Sequence, residues 1–247
     1  SRHFFIFTDS RGPCCLDGKY KDVGFLRHHV IGPHGESDRN WFFRRGRGPK
    51  IRCFDERKDI NIPTPNIHFP RTPFAPQLST RQSSSRPLLL FYAGWNYKVR
   101  MDLVKLYQHD PDPDVLVRRA VDPSEYIERI LSARFCPVCG GFSQWTPRLA
   151  EAMHYECVPI IMSPQMDPPW SSLLDWPSFS VRLDPTKRNL QSLKAMLRSL
   201  DHAKLLGGVR RAKAALTYQL DGWTGDDMLP LLLYQMHRVS SVPVVAP

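Results

Sequence analysis

No stretch of the 247-residue sequence reaches the roughly 18 consecutive apolar residues that a membrane-spanning helix needs. The longest candidates, "RPLLLFYAGW" (86–95) and "VPIIM" (158–162), are too short and read as buried strands. An initiating Met is missing: the chain opens at Ser1 in an apolar run, "HFFIF". That start is expected of a processed or truncated chain, in which a signal peptide could not show itself. No internal repeat is present. A second Cys-x-x-Cys is also missing. The single knuckle at Cys136 and Cys139 therefore falls short of the four ligands of a structural zinc site. His154 and Cys157 lie nearby, but at an expected helix end running into a strand. No helix opens directly after Cys139 either, because Gly140 and Gly141 follow it. The helix N-terminus that activates a redox thiol is thus not in place. What remains for the pair is packing, or a disulfide with another of the six cysteines (14, 15, 53, 136, 139 and 157). The even count fits an oxidising compartment and reduced, buried thiols equally well.

Acidic residues are in short supply. Lys and Arg number 34 against 24 Asp and Glu, a formal charge of +10. An anionic partner fits this balance, whether nucleotide, acidic polysaccharide, nucleic acid or headgroup surface. A simply basic protein fits it too. No recognised motif and no basic patch interleaved with aromatics supports nucleic acid. The segment that comes nearest to a metal-holding Asp-x-Asp, "DPDPD" (110–114), carries two prolines and reads as a turn before a strand.

The residues that are present suffice for a core: 42% are apolar, with 6 Trp and 13 Phe. Residues 1–85 are irregular. "HFFIFT" (3–8) and "PKIRCF" (49–54) read as short strands, with a long Arg-rich loop between them. The proline-rich stretch 60–77 reads as an extended connection, and "LSTRQSSSRP" (78–87) as a polar linker. From Leu88 strands alternate with helices. Strands are expected at 88–94, 114–119, 135–138, 157–162 and 179–183. Helices are expected near 98–108, over 122–135 behind Asp122 and Pro123, over 146–156, and over the two closing stretches 185–200 and 201–220. The pattern predicts an α/β fold with a parallel sheet covered on both faces. Boundaries are expected at 85 and 238, with a tail over 239–247. Such sheets bind ligands at the carboxyl ends of their strands. The loops after Tyr92, Arg119, Val138 and Met162 are therefore the places to look.

One of these loops has phosphate-binding chemistry. Gly140 and Gly141 let the backbone approach a ligand closely. Ser143 lies in the same loop. Thr146 is a good N-cap with Pro147 at the first helical position. A helix N-terminus attracts anions, and Arg148 adds a bidentate donor. Glu151, three residues on, shares its helix face. Arg for a diphosphate and Glu for ribose hydroxyls suit a nucleotide-sugar. An ordinary surface Arg–Glu pair has the same spacing. Gly94, closing the run "LLLFYAG", and Arg100 in the following helix bring a second loop to the same sheet edge.

These segments resemble the exostosin-like glycosyltransferases (glycosyltransferase family 47). The resemblance rests on "LLFYAGWNYKVR", on "YIERILSARFCPVCGGFSQWTPRLAEAMHYECVPIIM" and on "PPWSSLLDW", with "HFFIFTDSRGP" and "DINIPTP" upstream. It implies a two-domain enzyme of the GT-B type. Residues 1–85 would be part of the acceptor-side domain and its linker, and residues 86–238 a Rossmann-like domain binding the nucleotide-sugar. It also implies inverting transfer from a UDP-sugar to a glycan acceptor without a metal or other cofactor. Family members are Golgi membrane proteins facing the lumen, so membrane contact is expected only through an anchor absent from this chain. The catalytic base stays unassigned, with Asp9 as a candidate. A non-catalytic exostosin-like scaffold, or a binder of acidic glycans, is the alternative. Three features depart from the family pattern: most of the amino-terminal, acceptor-binding domain and any anchor are missing from the sequence, "FCPVCGG" has an additional Cys and Gly, and the loop 31–50 is unusually Arg-rich.

Overall fold

The computed structural model of the protein describes residues 3–6, 29–32, 57–64, 86–94, 98–140, 146–164, 166–218 and 228–241. All described strands pair in parallel, as their continuous apolar runs require. A small sheet joins β1 (Phe4–Ile6), β2 (His29–Gly32) and β3 (Ile60–Asn61) in that order. Neither β2 nor β3 is expected from the sequence. Each is too short for a visible period, and β3 sits inside the stretch read as an extended connection. Tertiary contacts hold them: Val30 N–H donates to the buried Asp59 carboxylate (3.0 Å), and the His29 ring stacks on Phe4 at 4.9 Å. The strand expected at 49–54 lies outside the described residues.

The larger sheet holds β4 (Leu88–Ala93), β5 (Val115–Arg118), β6 (Ala133–Val138), β7 (Val158–Ile161) and β8 (Val181–Arg182). Its order is β5-β4-β6-β7-β8, the flavodoxin-like doubly wound arrangement. The helices are α1 (Lys98–Tyr107), α2 (Pro123–Ser132), α3 (Arg148–His154), α4 (Lys187–Ser199), α5 (His202–Ala212) and α6 (Leu229–Ser240). Helices α2 and α3 pack on β4, β6 and β7, while α1 and α4 pack on each other and on β5 and β4. Leu89, Leu90, Phe135, Val138, Ile160 and Ile161 form the buried centre.

Three boundaries differ from the sequence expectation. Helix α2 stops at Ser132 and β6 takes over at Ala133, because "ARF" finds partners in β4 at Leu88 and Leu90. The last expected helix ends at Ala212, and a 3₁₀ turn over Ala214–Leu216 follows. Helix α6 reaches Ser240, across the expected boundary at 238, and packs against β3 of the small sheet. A disulfide ties Cys136 in β6 to Cys157 at the start of β7. Cys136 and Cys139 therefore do not pair with each other, and Cys139 is a buried free thiol. Bridging residues 21 apart stabilises the fold by about 3 kcal/mol. No helix among the described residues is long and apolar enough to cross a membrane.

Candidate functional site

The chain runs from β4 outward to β5, then back across β4 to β6 and on to β7. The strand order thus reverses between β4 and β6, where doubly wound sheets open a crevice at their carboxyl ends. The opening has a local cause. Pairing of β4 with β6 is registered at Leu88↔Ala133 and Leu90↔Phe135 and stops there. Gly94 N–H donates toward β5, to the Arg118 carbonyl at 3.0 Å. By alternation the Ala93 carbonyl faces the β6 side. The next β6 residue facing β4 is Pro137, which has no N–H to offer. The two strands part, and side chains take over their unmet carbonyls.

Arg148 fills the gap. Its Nη2 donates to the Ala93 carbonyl, and its guanidinium lies over the Tyr92 ring at 4.9 Å and the Tyr126 ring at 5.8 Å. Gly94 leaves room for both side chains at this point. A Cβ there would stand 2.9 Å from both Arg148 Nη2 and the Tyr92 hydroxyl. Arg100 does the same service for β6, donating from Nε to the Gly140 carbonyl and from Nη2 to that of Cys139, both at 3.1 Å.

Beside Arg148 lies a cleft of about 420 Å³, the size of a small-molecule site. Ala93, Gly94 and residues 119–121 form its strand-end wall. Pro123, Tyr126 and Ile127 of α2 face Arg148, Glu151 and Tyr155 across it. The Tyr126 hydroxyl donates to Glu151 Oε2 at 2.6 Å and accepts a longer 3.4 Å contact from Arg148 Nη1. Burial, then the neighbouring Glu151 charge, push the Tyr126 pKa far up, so it stays a neutral donor. Burial works against the charge on Arg148, but the facing Tyr126, Tyr92 and Glu151 raise its pKa overall. Cys139, beneath the crevice, is pushed up to about 12 by burial and is an inert thiol. The buried Tyr92 hydroxyl has no oxygen or nitrogen partner among the described residues, and the Cys139 thiol faces it.

Of the residues expected from sequence, Gly94, Arg148 and Glu151 line the cleft. Arg100 and Gly140 do not line it, but they meet at the neighbouring strand end. Thr146 is buried and does not cap α3 with its side chain. Pro147 is already helical (φ −60°, ψ −18°), and the Thr146 carbonyl accepts from Leu149 N–H, so the turn starts one residue before the regular helix. Gly141, Ser143 and Asp9 lie outside the described residues. Sequence reasoning missed Arg119, Tyr126 and Tyr155. For the loop after Arg119 the sequence signal is its position at a strand end alone. Nothing local sets Tyr126 apart from an ordinary core aromatic of an amphipathic helix.

Comparison with known proteins identifies relatives of the chain. A family model described as the Exostosin GT47 domain matches residues 1–200. The probable glycosyltransferase At5g03795 of Arabidopsis thaliana is 31% identical over 160 residues, covering 64% of this chain and 30% of that protein. The probable beta-1,4-xylosyltransferase IRX10L of the same species is 22% identical over 213 residues, covering 80% and 47%. The probable glucuronosyltransferase 47 A of Physcomitrium patens is 22% identical over 175 residues, covering 65% and 38%. The chain thus spans about 30% of the length of At5g03795 and less than half of the other two.

Proposed function

Since the chain belongs to the Exostosin GT47 family of glycosyltransferases, we propose that it holds the nucleotide-sugar in an inverting, metal-independent transfer from a UDP-sugar to a glycan. One observation carries this reading. Gly94, Tyr126, Arg148 and Glu151 converge on one cleft, at the point where the strand order reverses. A leaving diphosphate needs positive charge placed before the reaction begins. Arg148 and the exposed Arg119, which line the cleft, supply it. Glu151 accepts from ribose hydroxyls. The acceptor hydroxyl must lose a proton to a base, which in a GT-B enzyme faces the cleft from the amino-terminal half.

Metal independence is supported by the fate of "DPDPD". Its carboxylates lie at the amino end of β5, across the sheet from the cleft. Asp110 and Asp112 are paired with Lys194 at 2.7 and 3.7 Å, and Asp112 with Arg198 at 2.5 Å. A Golgi-lumenal site is supported by the Cys136–Cys157 disulfide, a bond that persists in oxidising compartments.

The test is turnover. The full-length protein is screened against a panel of UDP-sugars, with EDTA in parallel. Release of UDP that survives EDTA supports the reading, and activity that disappears in EDTA and returns with Mn²⁺ overturns metal independence. A non-catalytic binding role is the second reading. It is favoured by Arg148, one of whose guanidinium nitrogens is already engaged by the Ala93 carbonyl. UDP binding without turnover of any donor would select it.

A further inference from the structure

We infer that Tyr126 is a positioning residue for the nucleotide: its hydroxyl aims the Glu151 carboxylate and joins it to Arg148 in one hydrogen-bonded unit. This rests on the nucleotide reading of the cleft. The geometry is specific. Tyr126 lies one turn into α2, on the face turned to α3. Its ring is held against Phe91 of β4 (centroids 5.5 Å apart), which leaves the hydroxyl little freedom. That hydroxyl has one proton and gives it to Glu151 Oε2 at 2.6 Å. Its lone pairs face Arg148 Nη1 at 3.4 Å. A carboxylate has two oxygens and about four acceptor positions. With Oε2 engaged by Tyr126, Oε1 is the oxygen left to meet a pair of ribose hydroxyls.

An untethered glutamate on a helix surface samples several rotamers, and binding must then stop that motion. The tether removes part of this cost beforehand. The same hydroxyl also touches the group assigned to the diphosphate. The ribose end and the phosphate end of the ligand therefore meet side chains that share one tyrosine oxygen. A latch is the opposite arrangement: if ligand had to displace Tyr126 from Glu151, removing the hydroxyl would strengthen binding.

Titration calorimetry of the parent and of Tyr126→Phe against uridine, 2′,3′-dideoxyuridine and UDP decides between them. Phenylalanine keeps the ring and its packing on Phe91, so the fold is retained. Affinity for uridine and UDP is expected to fall about tenfold, the size of one hydrogen bond to a charged group. Affinity for dideoxyuridine, which lacks the hydroxyls Glu151 would accept from, is expected to stay the same. It also reports that the pocket is intact. In a Glu151→Ala background, Tyr126→Phe is expected to cost nothing further for uridine. Unchanged or tighter uridine binding overturns the inference, and so does an equal loss for dideoxyuridine. A parent chain that binds neither uridine nor UDP overturns the nucleotide reading, and this inference falls with it.

Discussion

The two ends of the five-stranded sheet use the same device and come to different results. At each end an arginine donates to main-chain carbonyls where strands begin or end. At the amino end Arg86 donates to the carbonyls of Ile130, Ala133 and Tyr155 at 2.8–3.3 Å. Around it the charges are closed into direct pairs. Glu156 meets Arg210 at 2.9 Å and Lys213 at 3.4 Å, and Asp112 meets Arg198. At the carboxyl end Arg148 has no carboxylate in direct contact among the described residues. Two tyrosine rings flank it, and Tyr126 stands between it and Glu151. A charge already paired to a carboxylate has little left for a ligand. One held by aromatic faces and carbonyl dipoles keeps its field. The amino end is built for stability, and at the carboxyl end Arg148 keeps a field that no direct ion pair among the described residues cancels.

The largest test of this contrast is Arg86→Ala. The carbonyls of Ala133 and Tyr155 lose this donor at once, while that of Ile130 keeps the Ala133 N–H, and each orphaned buried acceptor costs about 1–3 kcal/mol. A loss of about 3–5 kcal/mol in urea unfolding is expected, with UDP affinity per folded molecule unchanged. A parallel loss of UDP affinity would break the division between the two ends.

Arg148→Ala comes next and should act on both properties. Losing a charge-assisted bond to diphosphate costs about 1.5–3 kcal/mol of UDP binding, roughly 10- to 150-fold. The loss should shrink for uridine, which has no phosphates. The Ala93 carbonyl also loses its donor, so stability falls by about 1–3 kcal/mol. Glu151→Gln, by contrast, should weaken uridine and UDP alike and leave stability nearly untouched. Calorimetry and thermal melts on the two variants separate the effects. If both bind UDP like the parent, the donor-site reading of α3 fails.

A graded effect is expected with pH. Burial, chiefly, lowers His154 and His202 to about 4, and the neighbouring cations Lys213 and Arg86 add to the shift. Both side chains are neutral in the folded protein, while their unfolded values lie near 6.5. Below that value the unfolded chain binds more protons than the folded one. Stability therefore falls as pH drops from about 6.5 to about 4. Glu156, whose pKa is lowered, acts in the same direction. Burial opposes that shift, and Arg210 and Lys213 outweigh it. Its contribution is present above the ordinary glutamate range and is lost on acidification. Melts between pH 7 and pH 4 on the parent and on a His154→Gln, His202→Gln double variant check this. The double variant should show the flatter profile.

Asp112→Asn should do least. It removes an ion pair to Arg198, a residue half exposed, and such pairs contribute about 1 kcal/mol or less. Turnover of a UDP-sugar should be unaffected by the substitution. Abolished turnover would move the metal question back to "DPDPD".

Much of this division is legible in the residue string. The run "LLLFYAG" and the segment 157–162 signal buried parallel strands, and Asp122-Pro123 and Thr146-Pro147 mark helix starts. From these follow the α/β class, the sheet edge to search, and Gly94, Arg148 and Glu151 as candidates. Local pattern records which face of a segment is buried, and these inferences need no more than that. Strand order is another matter. Placing β4 between β5 and β6 decides that Arg148 meets a carbonyl 55 residues away and Glu151 a tyrosine 25 residues away. It decides that Cys136 bonds Cys157 and leaves Cys139 free. It also turns Gly94 from a loop glycine into a position where a Cβ would come within 2.9 Å of Arg148. Spacing along the chain carries no information about distances across a sheet. Only the folded arrangement of the strands supplies them, and with them the partners that set each charge.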